Sequence, residues 1–79
     1  MSNIELTIHK YIIENFNYGT SFDINENLLQ SEIIDSLGLI NLIAFLEKQF
    51  SVKVELEKIT PENFMTVSAI ADFVKKGAN

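Results

Sequence analysis

Apolar residues first recur at helical spacing between Ile4 and Ile12, where Ile4, Ile8, Tyr11 and Ile12 fall on one face. Ser2 precedes this run and Glu5 stands three residues later, the arrangement of a capping box. A first helix is therefore expected to start at Ser2 and to end near Asn15 or Phe16. The segment that follows, "NYGTSFDINEN", has no period, and its Gly19 and several Asn, Asp and Ser residues favour turns. No strong pattern returns before Asp35, and so long a connection is uncommon in a compact domain. It is either a functional loop or a sign that the helix boundaries lie elsewhere. Leu28, Leu29, Ile33 and Ile34 are expected to pin it to the core, with one helical turn near Glu26 to Ser31.

A second helix is predicted from Asp35 or Ser36. An aspartate at the N-cap accepts a hydrogen bond from an otherwise orphan backbone N–H, and its charge suits the positive end of the helix dipole. Leu39, Leu42, Ile43, Leu46 and Phe50 then form one core stripe, and the helix should stop near Ser51. "VKVELEKI" alternates like a strand, but a lone strand has no partner here, so it reads as extended loop. Thr60 and Pro61 open a short helix, because proline fits the first helical position. Thr66 caps a last helix whose inner face is Val67, Ile70, Ala71 and Val74, with Lys75 and Lys76 near its negative end. The predicted fold is all-α: a small four-helix bundle of three main helices and one short one, with a long loop between the first two.

Length and composition narrow the picture. The 79 residues suit a single domain, residues 1–79, and 47% of them are hydrophobic, including six Phe, so a core can form. The chain has no cysteine, which removes disulfides, thiolate metal sites and a cysteine nucleophile and suits a reducing cytoplasm. "MSNIELTIHK" lacks the pattern of a signal peptide, and no apolar run reaches the roughly 20 residues that span a bilayer. A net charge of −5 disfavours nucleic acid as a partner. It either steers basic protein partners or serves solubility alone.

Candidate chemistry centres on Ser36. On a helical wheel, Leu37, Asn41, Ala44 and Lys48 fall opposite the core stripe and Ile40 lies on the flank. Leu37, Ile40 and Ala44 thus make a second apolar zone beside Ser36, which is either a docking surface or a face covered by the long loop. A serine in the first helical turn is often a cap, yet Asp35 already fills that role. A nucleophilic serine needs a base within reach. The single histidine, His9, follows Ile8 and is expected on the solvated outer face of the first helix. There is no GxSxG, no zinc-ligand spacing, no glycine-rich phosphate loop and no carboxylate pair set for acid–base work. The chain is therefore expected to bind no metal and to do no chemistry by itself. Ser36 remains suited to accept a group from outside, since a phosphate at a helix N-terminus meets free N–H groups and a favourable dipole.

"DSLGLINLIAFLEKQF" followed by "ITPENFMTVSAIADFV" resembles the acyl and peptidyl carrier proteins, with the likeness running from the first helix to Val74. That resemblance implies 4′-phosphopantetheine attached to Ser36 by a separate phosphopantetheinyl transferase that draws on coenzyme A. It implies a stand-alone cytoplasmic monomer that holds acyl or aminoacyl thioesters and presents them to loading ligases or synthases. The pathway it implies is fatty acid, polyketide, nonribosomal peptide or related biosynthesis. By the same analogy Asp35, Leu37, Ile40, Asn41 and Ala44 form the partner surface. Gly38 and Asn41 stand where many fatty-acid-type carriers have acidic residues, so docking should lean on the apolar zone. Gly38 costs about 1 kcal/mol relative to alanine in a helix, which close approach by the arm or a partner could explain. The alternative from another class is an unmodified helical interaction module on the same fold.

Overall fold

The computed structural model describes residues 2–16 and 21–78. The turn signals at Asn17 and Gly19 lie outside the described residues. Four α-helices follow in order: α1 (Asn3–Asn15), α2 (Ser36–Phe50), α3 (Pro61–Phe64) and α4 (Val67–Lys75). Among the described residues there is no strand.

α1 starts as its sequence predicts. The Ser2 hydroxyl accepts from the Glu5 N–H at 3.1 Å, and Glu5 Oε1 accepts from the Ser2 N–H at 2.7 Å, so two orphan donors are satisfied reciprocally. Ile8 and Ile12 are fully buried. Tyr11 stacks on Phe45 of α2, with ring centroids 3.8 Å apart, and so joins the two long helices. In α2 the expected stripe splits by depth. Leu42, Ile43 and Leu46 are buried, while Leu39 and Phe50 are partly covered. α3 and α4 meet through Phe64 and Phe73, both buried, in an edge-on ring contact at 5.3 Å.

The long connection is a structured loop held at several points. A hydrogen-bonded turn forms at its centre: the Ser31 N–H donates to the Asn27 carbonyl, and the Gln30 N–H to Asn27 Oδ1. Glu32 ends the turn in the left-handed region at φ 57°, and the Ile33 N–H closes back on the Leu28 carbonyl. Leu28, Ile33 and Ile34 are buried as expected. Leu29 is not; it stays 43% exposed and does not pin the loop. Phe22 holds it instead, being buried, together with two backbone bonds to the α3–α4 region, Leu28 N–H to Met65 O and Ser68 N–H to Ile24 O.

His9 overturns its expected place on the solvated face. It is 7% exposed, its ring lies 4.5 Å from that of Phe22, and Nε2 donates to the Phe22 carbonyl at 2.7 Å. The helical period put His9 next to the core stripe; the returning loop covers it. The alternating segment after α2 also differs in part, since Leu56–Lys58 form a 3₁₀ turn inside the loop. Val54 is buried there and Leu56 exposed.

The capping box gives a pH-dependent prediction. The Ser2 N–H holds the Glu5 carboxyl below its ordinary range, against a smaller opposing effect of desolvation. A depressed carboxyl stabilises the fold above its unfolded value, and that contribution is lost as pH falls through the folded value. Glu5→Gln should therefore destabilise the protein at neutral pH, and its difference from wild type should shrink as denaturation is followed into acid. Ser2→Ala should cost about 1 kcal/mol by urea unfolding at neutral pH.

Candidate functional site

The site is built at the start of α2. Asp35 is the N-cap: its extended backbone turns the chain into the helix, and Oδ1 accepts from the Gly38 N–H at 2.7 Å. Ser36 is the first helical residue and is exposed. The N–H groups of Ser36 and Leu37 precede the first intrahelical bond, Leu39 N–H to Asp35 O, and so face the end of the helix. An open groove of about 530 Å³ adjoins the hydroxyl, lined by Leu29, Glu32, Ile34, Asp35 and Ser36.

Gly38 is buried beneath this corner. A Cβ there would meet Phe16 Cε1 at 2.8 Å, Ile34 Cγ1 at 2.9 Å and Asp35 Oδ1 at 3.1 Å. The glycine is explained by the chain's own packing, not by approach of an arm or a partner. It lets the end of α1, the end of the loop and the cap converge on one backbone segment.

The outward face of α2 is apolar and uncharged near Ser36. Leu37 is 68% exposed and Ile40 63%, so the loop does not cover them. Asn41 and Ala44 are exposed beside them. The acidic residue of α2, Glu47, is turned to internal use, since its Oε2 accepts from the Val54 N–H at 2.9 Å. Asp35, Ser36, Leu37, Ile40, Asn41 and Ala44 thus lie along one exposed strip from the N-terminus of α2. His9 is not part of it; its ring is buried against the Phe22 side of the loop. No cluster of metal-binding side chains occurs among the described residues.

Residues 7–74 match the family described as "Phosphopantetheine attachment site". The chain belongs to this carrier protein family. A D-alanyl carrier protein from Streptococcus uberis is 32% identical over 94% of this chain and 99% of its own length. An acyl carrier protein from Buchnera aphidicola is 34% identical over 96% of each chain. A chain in the crystal structure described as an FAD-dependent dehydrogenase superposes with a TM-score of 0.76 at 30% identity, covering 85% of this chain and 97% of that one.

The protein is accordingly a non-catalytic carrier with a covalently attached phosphopantetheine group. The corner at α2 fits such a group: an exposed hydroxyl, helix-end N–H groups and an open groove stand together. Sequence reading located the hydroxyl and the apolar strip. It missed the groove, because Glu32 and Leu29 belong to a turn without periodicity.

Gly38→Ala tests the packing of this corner. Alanine's higher helix propensity favours the variant by about 1 kcal/mol. Overpacking against buried Ile34 and the cap costs about 1–3 kcal/mol and should win. Urea denaturation should show a net loss of stability; a gain would mean that the corner is looser than described.

Proposed function

We propose that residues 1–79 act as one carrier domain bearing phosphopantetheine on Ser36, and that the cargo is a small amino acid of the D-alanyl type. In the attachment step the Ser36 oxygen forms a new P–O bond and the pyrophosphate link of coenzyme A breaks. The hydroxyl proton passes to a base of the transferase, and the adenosine bisphosphate leaves. The attached group supplies a thiol on which cargo is held as a thioester. A ligase that activates the amino acid as its adenylate loads it, with AMP released. The protein acts as a monomer in the cytoplasm, where coenzyme A and ATP are at hand. Among the described residues no helix is long and apolar enough to cross a membrane.

The observation that carries the cargo assignment is the small size of the apolar cleft between the loop, α2 and α3. The cleft lined by Leu29, Leu39, Ile59, Thr60, Pro61 and Phe64 holds about 120 Å³. At about 10–15 Å³ of such space per water-sized group, that is room for about 8–12 groups, fewer than the carbons of a long acyl chain. A small amino acid needs no interior space and stays on the arm. The uncharged strip Leu37, Ile40, Asn41 and Ala44 supports docking to an apolar partner surface, with Asp35 and Glu32 supplying charge at its edge. Several relatives named D-alanyl carrier protein agree with this reading. The relative named acyl carrier protein favours a fatty acyl cargo as the second reading.

Apo protein incubated with coenzyme A, magnesium and a broad-specificity transferase should gain the mass of one arm, and Ser36→Ala should gain none. Lack of modification of wild type by several transferases would contradict the attachment. The holo protein should then be charged by a D-alanine-activating ligase and ATP. Long-chain acylation should leave the melting temperature unchanged, because the cleft cannot take the chain in. A rise of several degrees on long-chain acylation, with no aminoacylation, would establish the fatty acyl reading instead.

A further inference from the structure

Leu29 is the apolar residue of the central turn that the core does not use. Leu28, Ile33 and Ile34 around it are buried, whereas Leu29 is 43% exposed. It is not loosely held. Ile33 and Ile34 both donate backbone N–H groups to the Leu28 carbonyl, and Leu28 in turn donates to Met65 O at 2.8 Å. The fold thus presents an aliphatic side chain from a fixed turn, at the cost of a glutamate in the left-handed region at Glu32. Leu29 lines the groove beside Ser36 and also the wall of the small apolar cleft, so it stands between the two.

Resting on the reading of Ser36 as the attachment point, we propose that the groove of Leu29, Glu32, Ile34, Asp35 and Ser36 is the bed of the chain's own phosphopantetheine arm, and that Leu29 is the surface on which the arm lies. The arm is tethered at one wall of the groove, so its effective concentration there is in the millimolar range. The lining matches its chemistry in sequence. The phosphodiester sits over the helix-end N–H groups of Ser36 and Leu37. The branched methyl groups beyond it meet Leu29, backed by buried Ile34. The Glu32 carboxylate, exposed on the rim, accepts from an amide N–H further along. Leu29 is a positioning residue: it restrains the arm and touches no reacting atom.

The test compares apo and holo protein by intact mass and by ¹H–¹⁵N correlation spectra. Attachment should shift the amides of Leu29, Glu32 and Ile34 and give contacts between the arm's methyl protons and the Leu29 methyls. Leu29→Ser, at a half-exposed site, should keep the fold and at least halve those shifts, and Leu29→Met should keep them. If the mass rises but shifts stay within residues 35–38, the arm hangs in solvent and the bed is refuted while Ser36 stands as its anchor. If Leu29→Ser leaves the shifts intact and instead raises the KM of the loading ligase for the carrier, Leu29 is a partner contact and the proposal also fails. If no mass is gained, the attachment reading itself falls, and the bed with it.

Discussion

The hydrogen bond from the Gly38 N–H to the Asp35 carboxylate fixes the geometry of the whole corner. It sets where α2 begins, and so places Ser36 at the first helical position, exposed to solvent. It also requires a residue without a side chain at position 38, because Phe16, Ile34 and Asp35 crowd that point. One short stretch therefore couples the end of α1, the last buried residue of the loop and the cap. The exposed strip of Leu37 and Ile40 follows from the same start, since the phase of the helix decides which residues face out.

Helices α1, α2 and α4 could be read from the sequence because local chemistry and periodicity agree in each. Ser2 with Glu5, Asp35 before an apolar stripe, and Thr66 before Val67 all cap as written. What could not be read depends on contacts distant in sequence. His9 lies at a boundary position on its helix, and only the return of Phe22 thirteen residues later buries it and supplies a carbonyl for Nε2. Leu29 is as apolar as Leu28, and the turn alone decides which of the two goes inside. The reason for Gly38 was equally hidden, since Phe16 and Ile34 approach it from separate segments.

The site shows how a chain without catalytic groups of its own can take part in chemistry. Two acids of this region are engaged in structure, Asp35 in the cap and Glu47, further along α2, with the Val54 N–H. Beside them stand a hydroxyl, a helix end, an apolar strip and an open groove with the Glu32 carboxylate on its rim. These features suit a passive handle better than a reaction centre. The reactive thiol arrives from outside, which is consistent with a chain that has no cysteine.

If the hydroxyl at position 36 holds the tether in the living cell, peptide-level mass spectrometry of protein purified from its natural source will find it there. The fragment that contains Ser36 should carry the arm, with a fraction bearing a small aminoacyl group. Recovery of that fragment unmodified, from cells whose other carriers are loaded, would show that Ser36 is not the anchor.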